Sequence, residues 1–246
     1  MSGSSIAGIS RGTLTEPVVQ VSLDLMSTET ALATAAVALE AGADWLEVGT
    51  PLVLAEGLHG VRALRREHPD VPLIVDLKTM DGGYMEAEMM ADAGADAVIV
   101  MGRAHDATIE RVCEAGRELG IVVMGDNLGA EDMVAEAARL EAFGVDIVVH
   151  HVGYDHRRKH PGLSPMTELS AIVAATTIPV QAVGGLSIEQ AVGCPSLGAP
   201  IVVFGAPLAI DGDSFTVADG DLARVLGEAC ARVHASPIAY PVTADR

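Results

Sequence analysis

Eight short apolar runs, each followed by a longer stretch with helical spacing, set the strongest limit on what this chain can fold into. The runs cover 18–25, 45–49, 72–76, 97–101, 121–124, 146–150, 179–183 and 200–205. Near-continuous Val/Ile-rich runs of this length are what strands buried on both faces look like. The helical stretches are 29–41, 57–67, 84–93, 107–119, 130–143, 164–175, a short one at 188–192, and 219–234. Strand–helix alternation implies parallel strands with right-handed crossovers. Eight such units predict an α/β fold of the (β/α)8 TIM-barrel kind. An open doubly wound sheet is the alternative, but no GxGxxG follows the first strand. The phrases Ala41-Gly42-Ala43-Asp44, Ala93-Gly94-Ala95-Asp96 and Phe143-Gly144-Val145-Asp146 each fall where a helix hands over to a strand, and their glycines suit a left-handed helix stop. The expected organisation is a loose Ser/Gly-rich tail over 1–17, one barrel domain over 18–235, and a tail over 236–246.

Composition narrows the partners. With 34 acidic against 15 basic residues the formal charge is −19, a surface that repels nucleic-acid phosphates and anionic lipid. No apolar run is long enough to span a membrane. Three widely spaced cysteines form neither a zinc pattern nor a disulfide framework, which suits a cytoplasmic location. Only Lys78 and Lys159 are lysines.

Barrel enzymes carry their chemistry at the C-terminal ends of the strands. There this sequence places Asp24, Glu47, Asp76, Lys78, Asp81, Asp126, His150 and His151, with Gly184-Gly185 and Gly205 after the last two strands. Helix capping accounts for one or two such acids, not for carboxylates at four strand ends with a lysine among them. Strand alternation puts Asp76 and Lys78 on one side. A lysine flanked by carboxylates stays charged and acts as a clamp or proton donor rather than a Schiff-base nucleophile. Glu47 and Asp76 end neighbouring strands, where they suit Mg2+ or Mn2+; without a metal they would hold Lys78 or sugar hydroxyls. Only one of His150 and His151 can point inward, and His151, at the strand end, is the candidate acid/base. A basic loop at 156–160, with Arg157 and Arg158, either meets an anionic substrate group or is solvated surface.

The elements Asp76-x-Lys78-x-x-Asp81 and Ser22-Leu23-Asp24-Leu25, with Glu47-Val48-Gly49-Thr50-Pro51 and His151-Val152-Gly153-Tyr154-Asp155, resemble the orotidine 5′-monophosphate decarboxylase superfamily. Within it they resemble the group of 3-hexulose-6-phosphate synthases and 3-keto-L-gulonate-6-phosphate decarboxylases, and Tyr154 stands where the decarboxylase branch usually has arginine. The resemblance runs from about Val18 to Ile210. It implies a Mg2+-dependent (or Mn2+-dependent) aldol condensation of formaldehyde with D-ribulose 5-phosphate through a 1,2-enediolate. The alternatives are decarboxylation or lysis of another sugar-like substrate, and a barrel that has lost catalysis. By the same resemblance Glu47 and Asp76 bind the metal, Lys78 stabilises or protonates the enediolate and His151 moves protons. Asp24 orients sugar hydroxyls or Lys78, and Asp81 reaches the partner's site in a homodimer. The substrate phosphate would rest on Gly184, Gly185, Gly205 and Ala206. The chain departs from the pattern here: the arginine usual after the eighth strand is absent, and Pro207 has no N–H to donate. Arg157 or Arg158 is therefore expected to close over the anionic end of the ligand.

Overall fold

The structure, a computed structural model, describes residues 6–206 and 222–240. In chain order its elements are β1 (Val18–Leu23), α1 (Thr28–Glu40), β2 (Trp45–Val48), α2 (Thr50–Glu56), α3 (Leu58–Glu67), β3 (Leu73–Thr79), α4 (Gly83–Ala93), β4 (Ala97–Met101), α5 (Asp106–Leu119), β5 (Val122–Asp126), α6 (Met133–Phe143), β6 (Ile147–His151), α7 (Tyr154–Lys159), α8 (Leu169–Ala175), β7 (Val180–Val183), α9 (Ile188–Gly193), β8 (Ile201–Ala206) and α10 (Leu222–His234). The strands pair in parallel in chain order, and β8 returns to β1 with Val18 opposite Ile201 and Leu23 opposite Ala206. The sheet is therefore closed, a (β/α)8 barrel, and the open-sheet alternative is excluded.

The period of two along each strand sorts the core into two layers. One set of positions faces the helices: Val19, Val21, Leu46, Val48, Val75, Val98, Val148 and Val202 join the apolar faces of the helices in one cluster. The other set fills the barrel: Val18, Trp45, Ile74, Ile99, Met124, Ile147, Val149 and Ile201 form a second cluster. Continuing that inward set by two residues at a time leads to the C-terminal mouth, and it arrives at Asp24, Glu47, Asp76, Asp126, His151 and Gly205.

The repeated helix-to-strand phrases do more than stop helices. Gly94 and Gly144 are left-handed caps of α4 and α6. The aspartate two residues later then accepts a backbone N–H near the start of the preceding strand. Asp44 takes that of Val19, Asp96 that of Leu73 and Asp146 that of Val123, each at 2.8 Å. Each phrase thus ends a helix and fastens the next strand to its neighbour.

Two expectations need correction. Residues 6–17 are not a loose tail: Ile6 and Leu14 are buried in the same cluster as Val18, Trp45 and Ile74. The lower end of a barrel filled with apolar side chains must be covered, and this segment covers it. Arg11 ties it down, donating to the carbonyls of Ile178 and Val173 at 2.9 Å each. From the other terminus, Tyr240 donates to the Leu14 carbonyl at 3.5 Å and sits under the Arg11 guanidinium. The second correction is that most of the expected basic loop is helical, as α7. Its cationic residues cluster in the last turn, where they complement the negative end of the helix dipole. Residues 1–5, 207–221 and 241–246, with Pro207 and part of the stretch from 211 onward, lie outside the described residues, as does the start expected for the last helix at 219.

Trp45 is the chain's single tryptophan and is 4% exposed. Removing residues 1–16 is expected to uncover it and shift its fluorescence to the red with a lower melting temperature. An unshifted spectrum would contradict the packing of the N-terminal segment.

Candidate active site

The inward strand ends converge on a cavity of about 320 Å³, lined by Asp24, Glu47, Asp76, Lys78, Asp126 and His151, with Thr50, Tyr154, Arg157, Gly184, Gly185 and Gly205. Lys78 reaches it in a way that alternation alone does not provide. Its φ is +55°, the one positive value among the described non-glycine residues, and the β3–β4 register breaks between Val75 and Thr79. The twist swings the ammonium back over the strand end. Nζ lies 2.5 Å from Asp76 Oδ2 and 3.9 Å from Asp126 Oδ2. Burial would lower the lysine's pKa, but Asp76, Asp126 and Glu47 outweigh it and hold the pKa above the ordinary value. Lys78 is therefore a fixed positive charge.

Asp126 is the hub. Its Oδ2 is 2.9 Å from His151 Nδ1, and its Oδ1 accepts the Leu128 N–H at 2.8 Å. Burial alone would raise its pKa; His151, Lys78 and the Leu128 N–H reverse this and hold it below the usual carboxylate value. An ionised carboxylate only accepts, so Nδ1–H of His151 donates to it and Nε2 is left for proton transfer. His150 points the other way, into the layer between sheet and helices. Nε2 meets the Pro165 carbonyl at 2.9 Å and Nδ1 the Asn127 amide nitrogen at 3.3 Å. Asn127 in turn accepts the His151 N–H at 3.0 Å. Burial pushes the His150 pKa down to about 4, so this histidine is neutral.

The acids opposite behave differently. Burial, then Asp76 and Asp24, raises the Glu47 pKa to about 8. Burial, with Asp76, also raises that of Asp24. Thr50 donates to Asp76 Oδ2 at 2.8 Å, while Asp76 Oδ1 is buried with no hydrogen-bond partner. No group of three or more His, Cys, Asp or Glu side chains among the described residues is arranged to hold a metal. The chain offers instead two crowded carboxylates on adjacent strands, one with an orphaned oxygen. That donor set fits a hard divalent cation whose remaining positions go to water or substrate.

At the other side of the mouth, the Arg157 side chain lies directly over Gly185, whose missing Cβ makes the space, and Nε donates to the Val152 carbonyl at 3.2 Å. Gly184 and Gly185 both have positive φ. Of the expected site residues, Asp24, Glu47, Asp76, Lys78, His151, Arg157, Gly184, Gly185 and Gly205 meet at one cavity. Asp81 is exposed outside it, its Oδ1 accepting the N–H of Gly82. Arg158 is turned outward, donating to the Tyr154 hydroxyl at 2.9 Å. Ala206 packs its side chain among the helix-facing residues. Pro207 lies outside the described residues. The partnership of Asp126 with His151 went unassigned in the sequence, although its inward parity with Met124 marks it. Thr50, Gln20 and Gln181 were missed; the signal for the glutamines was a polar residue at an inward position of an apolar strand.

A closed (β/α)8 barrel with a lysine between two aspartates and a histidine–aspartate pair at its mouth defines a class of barrel enzyme sites. The chain belongs to the orotidine 5′-phosphate decarboxylase / HUMPS family, whose model matches residues 17–187. It is 36% identical to a 3-hexulose-6-phosphate synthase of Mycobacterium gastri over 193 residues, 77% of this chain and 90% of that protein. A crystal structure of a 3-hexulose-6-phosphate synthase superposes with a TM-score of 0.76 at 33% identity, covering 90% of this chain and all of that one. A 3-keto-L-gulonate-6-phosphate decarboxylase from Vibrio cholerae gives 0.72 at 28%, covering 89% and 99%. No helix among the described residues is long and apolar enough to cross a membrane.

The depressed pKa of His150 makes a signed prediction. Unfolded His150 takes up a proton below about pH 6.5, whereas the folded residue resists until about pH 4. Its contribution is complete above about pH 6.5, shrinks progressively as pH falls toward 4 and is gone below it. Between pH 7 and 4.5, wild type is expected to lose about 2–3 kcal/mol more unfolding free energy in urea than His150→Met. Equal losses would show that His150 is not held neutral.

Proposed function

We propose that this protein is a 3-hexulose-6-phosphate synthase, an aldehyde-lyase that joins formaldehyde to D-ribulose 5-phosphate through a 1,2-enediolate. The observation that carries the reading is the Lys78 ammonium, fixed between Asp76 and Asp126 beside the His151–Asp126 pair. An enediolate is a developing oxyanion, and a preorganised cation in a half-dry site is what stabilises one. Relatives that bear this enzyme name, at 36% identity in sequence and 33% in a solved structure, support the choice of reaction.

In this reading His151 Nε2 removes a proton from C1 of the pentulose, and Asp126 stabilises the imidazolium that results. Lys78 faces the oxygen on which charge builds. C1 then attacks formaldehyde, forming the new carbon–carbon bond, and the alkoxide from the aldehyde takes back the proton held by His151, directly or through Lys78, which His151 then reprotonates. The product is D-arabino-hex-3-ulose 6-phosphate. Asp24, protonated more readily than an ordinary aspartate, holds sugar hydroxyls. Glu47 and Asp76 would hold Mg2+ or Mn2+, which when bound supplies Lewis-acid polarisation of substrate oxygens.

The anionic end of the substrate is assigned to the β7–β8 side, on Gly184, Gly185 and Gly205, with Arg157 as its cation. Arg157 and Lys78 are then the positive poles of a cavity otherwise rich in carboxylates, which separates phosphate from enediolate. Leu54, Met80, Met85 and Met89 are exposed on α2, the β3–α4 turn and α4, and Met80 adjoins Asp81 in that turn. Such a surface favours a homodimer, with Asp81 turned toward the partner. The reaction chemistry and the cysteines, all three buried and free, suit the cytoplasm.

The test is formaldehyde consumption with ribulose 5-phosphate. Activity is expected with Mg2+ or Mn2+ and none in EDTA. Arg157→Ala should raise KM about tenfold at low salt, whereas Arg158→Ala stays near wild type. No consumption with metal present would overturn the assignment; equal KM values in both variants would move the phosphate off Arg157.

A further inference from the structure

At the floor of the cavity, whose lining includes Glu47 and Gln181, three buried polar side chains touch in series. Gln181 on β7 donates through Nε2 to Oε1 of Gln20 on β1 at 2.8 Å. Gln20 donates through Nε2 to Oε2 of Glu47 on β2 at 2.5 Å. Gln20 and Gln181 are at most 1% exposed and Glu47 is 6% exposed. β8 lies between β7 and β1 in the sheet, so the Gln181–Gln20 bond passes across its inner face. Three long polar side chains in such a place displace apolar packing, and they are tolerated only when fully paired.

We propose that Gln20 and Gln181 are positioning residues for Glu47: the amide series fixes the direction of the Gln20 amide and, through it, the orientation of the Glu47 carboxylate toward a bound cation. The inference rests on the reading of Glu47 as a metal ligand.

The direction of the series follows from donor chemistry. Once a cation holds Glu47 ionised, its carboxylate only accepts, so the Gln20 group that faces it has to be the NH2 end. An amide standing alone has two orientations of similar shape, and the wrong one would set carbonyl oxygen against carboxylate oxygen. Gln181 weighs against the wrong one when its own amide keeps its direction. Its NH2 meets the Gln20 carbonyl, so turning Gln20 over would break both bonds at once and oppose two NH2 groups in a dry interior. With Oε2 committed to Gln20, Oε1 of Glu47 is the oxygen available to a ligand. Asp76 is arranged alike on the neighbouring strand, Oδ2 bonded to Thr50 and Lys78 and Oδ1 without a partner. Each carboxylate thus has one oxygen held by the protein and one available, the arrangement that outer partners impose on metal ligands.

A mere filling role would predict that methionine, equal in length and unbranched, serves as well at both positions. The experiment is direct Mn2+ binding to the metal-stripped full chain, read by electron paramagnetic resonance without substrate, so that any contact of Gln181 with substrate does not enter. Gln20→Met is expected to weaken Mn2+ binding about tenfold. Gln181→Met should weaken it by a smaller factor, and Gln20→Met/Gln181→Met should be no weaker than Gln20→Met, because Gln181 acts only through Gln20. Circular dichroism and melting temperature establish that each variant is folded. If wild type binds Mn2+ and both single variants bind it equally well, the positioning role is overturned while the metal site stands. Multiplicative losses in the double variant would overturn the series by showing that Gln181 acts on its own. A wild type that binds no Mn2+ would overturn the metal reading and this inference with it.

Discussion

The ion pair between Lys78 and Asp76 organises the mouth of this barrel. A non-glycine residue with positive φ costs on the order of 1 kcal/mol or more, and persists only where its surroundings over-determine it. Here they do: the ammonium lies 2.5 Å from Asp76, with Asp126 behind at 3.9 Å. The twist brings Lys78 onto the same side as the inward carboxylates even though β3 has left its regular register with β4. Asp126 then faces two cations, Lys78 and, when protonated, His151, which keeps it ionised although it is 1% exposed. Removing the lysine would leave Glu47, Asp24, Asp76 and Asp126 crowded with no fixed protein cation in their midst.

Much of this was legible in the sequence because a parallel strand has only two faces. The alternation that buries Val18, Trp45, Ile74, Met124 and Ile147 in the barrel carries forward to Asp24, Glu47, Asp76, Asp126 and His151 at the mouth. It also explains why His150 and His151 part company. What alternation could not supply was the route of Lys78, since its position depends on a left-handed residue rather than on the pleat. Nor could it show that Asp44, Asp96 and Asp146 fasten neighbouring strands, because that requires knowing which strands adjoin. The N-terminal segment, read as loose from its Ser/Gly content, packs because two apolar residues, Ile6 and Leu14, suffice to cover the barrel's lower end. The basic stretch read as a loop is largely helix because its charges gather in a single last turn.

The site also reconciles a −19 protein with an anionic substrate. Its carboxylates lie at the ends of β1, β2, β3 and β5, where Lys78 and protons offset them. The β6–β7 side carries Arg157 over the paired glycines. A ligand with a neutral polyol at one end and a phosphate at the other matches that separation of charge better than a uniformly anionic one. The glutamine series adds a layer beneath, setting the orientation of one carboxylate from the dry interior rather than from the solvent side.

The central claim is that Lys78 and the His151–Asp126 pair generate an enediolate on this cavity. Hydrogen exchange reads that step without formaldehyde. Ribulose 5-phosphate incubated in D2O with the protein and Mg2+ should gain deuterium at C1, as followed by proton NMR, and Lys78→Ala should slow this gain by about 100-fold or more. Absence of exchange by wild type, or exchange by Lys78→Ala at the wild-type rate, would contradict the account.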